Sequence, residues 1–498
     1  QPKWEVGFAM LAQVNSSQGN LDQAIELFKK AIELKSDSCE LNYLLGVELF
    51  QTGSHDEAIK HLEKALSKDP NSISTLTMLG GVYNKRGDHK LAIRHYKKAL
   101  DLNPEDENLC FNMGNALQAV GELNEAIKFY YKALSIQPNF ADSYYNMSKA
   151  LIDQDRPKEA IDACKKAISL KHNHAEAYNN LGAALENYGS LEEAFNAYSK
   201  ALSLQPDSVD AETNLVSLLT VYSPKKCGDN PILKVDQELK KINLEYDEDN
   251  VLSEKRIHKI ITCIEKLFSN NSINTDTELS QIYRCNSVDL NCDRHLAVFE
   301  RHSIIPEFCF GCYKVQVEPR TIIELLYTFI VFDQLKLANN NIRKCMVELR
   351  PQISGFYKGL IYCSGIDEAN IIAKKLDCIL KEQVSPSLKS DIKRGCSEYA
   401  LSFPLYKEIN MLGPQPMNYN KDWNSIEIQY DKAFPSNKKR NTSPTIPGLN
   451  LHDCKIMQNW FGYALGIGDK SINSLNENIT FSTDFYRKAL ARLKIHQF

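Results

Sequence analysis

Alanine pairs seven residues apart recur at a fixed step of 34 residues: Ala24/Ala31, Ala58/Ala65, Ala92/Ala99, Ala126/Ala133, Ala160/Ala167 and Ala194/Ala201. Glycines keep the same step, as Gly46, Gly80, Gly114 and Gly182 and again as Gly19, Gly53, Gly87, Gly121 and Gly189. Pro70, Pro104, Pro138 and Pro206 close four of the units. Such a period confines this part of the chain to an array of like units, because one short unit cannot bury its own apolar face and stacked ones can. Each unit reads as helix A, a turn, helix B and a break. The later glycine sits in the turn, where a missing side chain relaxes the backbone limits. The earlier glycine and the alanines sit where helices touch. The proline ends helix B because it cannot continue the ladder.

A 34-residue helical pair with this pattern resembles the tetratricopeptide repeat. The resemblance covers residues 5–208 as six units, with Val209 to Val221 as a further A helix acting as a cap. It implies a mainly α chain whose residues 1–222 form a right-handed superhelical solenoid, with the A helices lining a concave groove. Unit five departs from the pattern, since Ser148, Asp155 and His172 replace Gly, Gly and Pro. Asn112, Asn146, Asn180 and Asn214 share the sixth position of helix A, where the first units carry Leu44 and Met78. A side-chain amide both donates and accepts, so four in a column can hold a peptide backbone without reading its sequence. The column is similar to the asparagine ladder of the O-linked N-acetylglucosamine transferase superhelix, and that resemblance implies peptide binding. The alternative is an amide that bonds locally within the array. Glu40, Ser74, Asn108, Asp142, Glu176 and Asp210 fill the second position and read as helix N-terminal acceptors.

After residue 222 no doubly wound glycosyltransferase pattern follows. Ser223 to Pro231 reads as a linker. Residues 223–305 read as a helical connector, with apolar residues at helical spacing on both sides of an acidic turn at 246–250. Residues 306–407 read as β-α-β-β-α-β: strands at 313–317, 344–350, 357–363 and 391–399, and helices at 319–337 and 367–382. That order predicts an α+β ferredoxin-like domain with helical additions. Residues 408–498 read as an irregular extension with helices near 451–465 and 483–495 and a solvated Lys438–Arg440 triplet. The 357–363 run only brushes an RNA-binding signature, since Leu360 and Tyr362 stand where two aromatics are wanted. Glu348, Arg350, Arg394 and Glu398 are the candidate anchors for a small polar ligand or a partner. The alternative is a solvated sheet face with cross-strand ion pairs.

Composition narrows the function classes. The 498 residues carry a net charge of -4, with 43% hydrophobic and 24% charged residues. That excludes a fully disordered or collagen-like chain and argues against a nucleic-acid clamp. No apolar run reaches the length of a membrane span. Three of the 14 cysteines precede residue 222 and eleven follow it. In a chain long enough for a real core they read as reduced thiols in a cytoplasm, although a removed leader would leave the same sequence. Cys309 and Cys312 have the spacing of a zinc half-site, with Cys292 and His295 upstream. Plain buried thiols with no cofactor are the leading reading, and a zinc or iron–sulfur site or a redox pair are the alternatives. The expectation is a protein- or peptide-binding scaffold with a second binding or assembly module. A peptide-modifying, metal-dependent enzyme fed by the groove and a self-assembling homo-oligomer remain alternatives, and no residue is assigned as catalytic.

Overall fold

The computed structural model describes residues 4–34, 38–225, 230–242, 244, 253–271, 273, 277–285, 290, 292–396, 398–411, 413–434, 445–475 and 479–496. The acidic turn at 246–250 and the Lys438–Arg440 triplet lie outside them. The chain divides into two compact units, Gln1–Ala211 and Glu212–Phe498.

The first unit is a row of helical pairs: α1 (Trp4–Ser17) with α2 (Leu21–Leu34), α3 (Cys39–Gln51) with α4 (His55–Lys68), and α5 (Ile73–Arg86) with α6 (His89–Leu102). Then come α7 (Glu107–Ala119) with α8 (Leu123–Ile136), α9 (Ala141–Asp153) with α10 (Pro157–Leu170), and α11 (Ala175–Tyr188) with α12 (Leu191–Leu204). Helix α13 (Val209–Leu218) runs across the boundary between the units. Each A helix packs on its own B helix and on the B helix before it, and neighbouring A helices also touch. The A helices therefore form the inner, tighter layer.

A small-against-large contact sets the distance within each pair. A Cβ on Gly114 would lie 2.6 Å from the Tyr130 ring, one on Gly182 2.5 Å from Tyr198, and one on Gly46 2.6 Å from Leu62. Gly80 meets Tyr96 in the same way. Unit five keeps the contact with the sizes exchanged. Ser148 stands at the glycine position and Cys164, fully buried, at the aromatic one. The turn glycines Gly19, Gly53, Gly87, Gly121 and Gly189 all have φ between 80° and 91°, and Asp155 takes that place in unit five with φ 55°. Asp tolerates this region better than most residues because its short side chain bonds locally.

The second unit centres on one five-stranded antiparallel sheet. In chain order its elements are α14 (Pro231–Lys240), α15 (Glu254–Asn271), β1 (Gln281–Arg284), α16 (Cys292–His302), α17 (Glu307–Gly311), β2 (Tyr313–Val317) and α18 (Ile322–Gln334). There follow β3 (Arg343–Val347), β4 (Tyr357–Cys363), α19 (Ile366–Gln383), β5 (Ser390–Arg394), α20 (Trp423–Ala433), α21 (Leu451–Ile467) and α22 (Thr483–His496). The strand order is β1-β3-β4-β2-β5. Val315, Val317, Cys345, Val347 and Ile361 point into the core, where α18, α19 and α21 pack. The Thr321 hydroxyl caps α18 by accepting from the Glu324 N–H at 3.2 Å, as the capping-box spacing predicts.

Three expectations need correction. The last strand ends at Arg394 rather than 399, because Gly395 presses against the Cys312 thiol with no room for a Cβ and the chain turns into a short 3₁₀ helix at Glu398–Leu401. The second strand stops at Val347. An edge strand, β1, and helix α20 lie in segments read as connector and loop. Strand β1 hides because Arg284 sits on its buried side. The Arg284 guanidinium bonds Asp333, Asp453 at 2.7 Å and the Gly448 carbonyl at 2.9 Å, and lies 4.7 Å from the Phe329 ring centre.

Exchanged sizes in unit five give a double-mutant prediction. Cys164→Tyr alone costs about 1–3 kcal/mol by overpacking against Ser148. Adding Ser148→Gly restores most of that loss, a coupling above about 0.5 kcal/mol in urea unfolding. Strictly additive losses would reject the compensation. For the buried network, Arg284→Met costs about 3–5 kcal/mol at pH 7, because two carboxylates stay buried without their cation. Burial pushes the Asp453 carboxyl up and Arg284 more than reverses this, holding it below its ordinary value. In the parent that depressed value gives stability above the unfolded carboxylate range, lost as pH falls through the folded value. In the variant burial is opposed by His452 without Arg284, and Asp453 takes up a proton more readily on acidification. The deficit relative to the parent therefore narrows from pH 7 toward pH 5, and a constant deficit would contradict the assignment.

Candidate functional site

Two surfaces gather functional groups, one in each unit. In the first, Asn112, Asn146 and Asn180 are half-buried at equivalent places on α7, α9 and α11. The Asn146 amide donates to Asn115 Oδ1 at 2.7 Å, and that oxygen also accepts from the Tyr130 hydroxyl at 2.8 Å. The Asn180 amide donates to Ser148 Oγ at 3.3 Å. One arm of these two amides thus ties successive A helices together. Asn214, also half-buried, sits on α13 in the second unit.

In the second unit, the sheet face opposite α18 and α19 floors a cleft of about 800 Å³. Strand alternation places Lys314 and Gln316 of β2, Lys344 and Met346 of β3, and Lys358, Leu360 and Tyr362 of β4 on it. Cys292 and Leu296 of α16 line one side, and Gly395, Cys396 and Glu398 line the end beyond β5. Glu348 is almost fully buried and accepts from Arg350 Nε at 2.9 Å, with Lys358 Nζ at 3.2 Å. Burial pushes its carboxyl up, but the Arg350 hydrogen bonds and Lys358 bring it down to about 2. Arg350 continues to Glu398 at 3.1 Å, and Lys393 pairs with Glu318 at 3.4 Å.

Three of the four anchors read from sequence, Glu348, Arg350 and Glu398, form one ion-pair chain at the cleft. Arg394 does not join it. Its guanidinium bonds the Phe310 carbonyl and lies 4.7 Å from the Tyr313 ring centre and 5.3 Å from that of Tyr406. Among the candidate metal ligands, Cys309 is buried in an aromatic cluster with Tyr399 and Tyr406, its thiol 3.4 Å from the Tyr399 hydroxyl. Cys312 lines the cleft, Cys292 is exposed, and His295 is buried and stacked on Phe308 at 5.0 Å. Among the described residues no group of three or more His, Cys, Asp or Glu is arranged to hold a metal ion.

Models of the tetratricopeptide repeat match residues 16–53, 37–105, 108–140, 141–174 and 175–208. Residues 16–208 are tetratricopeptide repeats. Among solved structures, MamA is similar at 29% identity over 34% of this chain and 93% of that chain, with a TM-score of 0.33. YrrB, titled a TPR protein with an unusual peptide-binding site, aligns at 23% identity over 37% of this chain and 95% of its own, with a TM-score of 0.33. PilF of Pseudomonas aeruginosa aligns at 18% identity over 43% of this chain and 96% of its own, with a TM-score of 0.38. Among curated proteins none matches the sequence. No helix among the described residues is long and apolar enough to cross a membrane.

Within the tetratricopeptide array, helix capping falls on a column that the sequence reading passed over. Ser38, Ser72, Asp106, His174 and Ser208 accept from the backbone N–H three residues on, and they too are spaced by 34 or its multiple. The polar second position lies within the first turn but is not the cap itself. The period could have found this column, because from the second unit on it holds a side-chain acceptor except at Phe140, whose ring centre lies 4.9 Å from that of Phe111.

Outside the repeats, the cleft amines are held below the ordinary lysine range. Burial, then Lys314 and Arg350, lowers the Lys344 amine to about 8, against Glu348 and Cys292, which favour its charge. Burial also lowers the Lys314 amine. The Cys396 thiol is held below its ordinary value: a hydrogen bond from Cys309 lowers it and Lys314 adds to this, against burial and Glu398. An amine-directed acylating reagent should therefore label Lys344 with a midpoint near pH 8, below that of surface lysines at about 10.4. Peptide mapping after labelling from pH 6 to 11 reads this directly, and a midpoint above 10 would refute it.

Proposed function

We propose that the tetratricopeptide array is a receptor for an extended segment of a partner protein, with the asparagine column holding the peptide backbone. The observation that carries this reading is the in-register placing of Asn112, Asn146 and Asn180, half-buried on three successive A helices. An amide whose N–H is anchored on the neighbouring helix is already oriented, so less side-chain freedom is lost when a ligand binds. Asn146 and Asn180 have that anchoring. A backbone clamp of this kind tolerates many side chains, which suits a scaffold that selects by conformation first.

The second module is read as ferredoxin-like, with β1 as an added edge strand. Support comes from the order β3-β4-β2-β5, in which the two helices α18 and α19 follow β2 and β4. Its open sheet face is a second binding surface, held by the Glu348–Arg350–Glu398 chain.

The test is binding of an unbiased peptide array to the full chain and to Asn112→Ala, Asn146→Ala, Asn180→Ala and Asn214→Ala variants. Each lost hydrogen bond should weaken captured peptides by about fivefold. Thermal unfolding of each variant separates lost clamping from loosened packing, since Asn146 and Asn180 also tie helices together. Affinities unchanged across all four would reject the clamp.

A further inference from the structure

The cleft holds more positive charge than its carboxylates balance. Glu348 serves Arg350 and Lys358, Glu398 serves Arg350, and Glu318 serves Lys393. Asp293 adds one more carboxylate to the lining, against two further cations, Arg394 and Lys407. Lys314 and Lys344 are different. Among the described residues, the Lys314 ammonium bonds the Gly395 carbonyl oxygen at 3.0 Å and the Lys344 ammonium bonds Gln281 Oε1 at 3.3 Å. Both hydrogen-bond partners are neutral, and the acidic groups that favour their charge, Glu398 and the Cys396 thiol for Lys314 and Glu348 and the Cys292 thiol for Lys344, do so through space. Lys344 also lies 5.7 Å from the Tyr283 ring centre and 5.9 Å from that of Tyr362. Ring faces attract a cation but neutralise nothing. The two amines stand on strands β2 and β3, separated only by β4, so they repel one another across Leu360 and Tyr362.

Holding two such amines on a half-buried floor costs free energy unless a counter-charge arrives. The surrounding surface says what kind of counter-charge fits. Leu296, Met346, Leu360 and Tyr362 add apolar area beside the amines. The volume of about 800 Å³ is that of a small-molecule site rather than of a lone ion. Lysine is a point charge with rotatable donors, so it accepts a phosphate or a carboxylate without demanding the planar fork geometry that arginine prefers.

We infer that the open sheet face of the second unit is a binding site for a small organic molecule bearing an oxyanion group, a phosphate ester or a carboxylate, with Lys314 and Lys344 as the cations that hold it. The apolar part of the molecule lies over Leu360 and Tyr362. Arg350 and Lys358 stay paired with Glu348, Arg350 at the rim and Lys358 buried in the floor. This inference deepens the reading of the second module as a binding surface and is independent of the asparagine clamp.

The experiment is thermal unfolding of the full chain at constant ionic strength with inorganic phosphate or succinate, against sodium chloride. The parent should gain about 3 °C or more with at least one probe at 20-fold excess over its dissociation constant. A gain with phosphate alone assigns a phosphate ester, a gain with succinate alone assigns a carboxylate, and a gain with both assigns an oxyanion of either kind. Lys314→Met and Lys344→Met should abolish the gain while leaving the unfolding temperature without probe at or above that of the parent, because each change removes a buried charge. Proton–nitrogen correlation spectra should show the probe shifting Gly395 and Tyr362 amides. No gain with either probe, or a gain that survives in both lysine variants, would overturn the site. A peptide array that still binds normally in those variants would leave the asparagine reading standing.

Discussion

Everything in the repeat array follows from how closely two helices of a pair can approach. A glycine on helix A lets an aromatic ring from helix B lie flat against the backbone, and the buried alanines remove the other obstacles. The spacing so set is repeated six times, which is why neighbouring A helices meet along one side. Each Tyr of this contact also needs somewhere for its hydroxyl. Tyr130 finds Asn115 and Gln118, both at 2.8 Å, and Tyr198 finds Glu186 at 3.0 Å. The small-large contact therefore fixes polar partners on the inner layer as well as the packing distance. The asparagine column inherits its orientation from that arrangement.

Unit five shows that the contact tolerates other residue types. Serine and cysteine meet, both buried, where glycine and tyrosine meet elsewhere, and the Ser148 hydroxyl then takes on new work. It donates to the Tyr145 carbonyl at 2.7 Å and accepts from the Asn180 amide. Burial drives the Cys164 thiol up to about 12, so it behaves as a small apolar group.

The array was legible because its information is periodic: a 34-residue step repeats the same physical demand and exposes each departure. The order of β2, α18, β3, β4 and α19 was legible because alternation of apolar residues tracks a sheet with one covered face. What escaped the sequence were elements whose buried side carries charge. Arg284 in β1 and Glu427 in α20 both point inward, and a pattern reading counts both as outward. Glu427 accepts from Arg294 at 2.8 Å, from the Glu307 N–H at 2.9 Å and from the Tyr419 hydroxyl at 3.0 Å. Such residues are buried only because a partner far along the chain meets them, and no local window contains that partner. Cys309 and Cys312 are close in sequence, but Cys309 lies within α17 with its side chain in an aromatic cluster, and Cys312 lies just past that helix and lines the cleft.

The same distinction explains why arginine and lysine divide the labour in the second unit. Arg284, Arg394 and Arg492 are nearly fully buried, and each spreads its donors over carbonyls, carboxylates or hydroxyls from distant segments. Arg492 alone bonds the carbonyls of Glu348, Ile353 and Gly355, which holds the turn between β3 and β4. A planar fork with several fixed donors suits that task, and donors committed to buried acceptors are withheld from a ligand. Lysine cannot tie three strands in this way, so lysines remain on the open face. There the sheet spaces them by strand separation and their stems lie along apolar neighbours. Arg350 is intermediate: its side chain is 46% exposed and is held by two carboxylates. Arginines fix the scaffold and set the rim, and the charge left on the sheet floor belongs to Lys314 and Lys344 because nothing in the fold required it elsewhere.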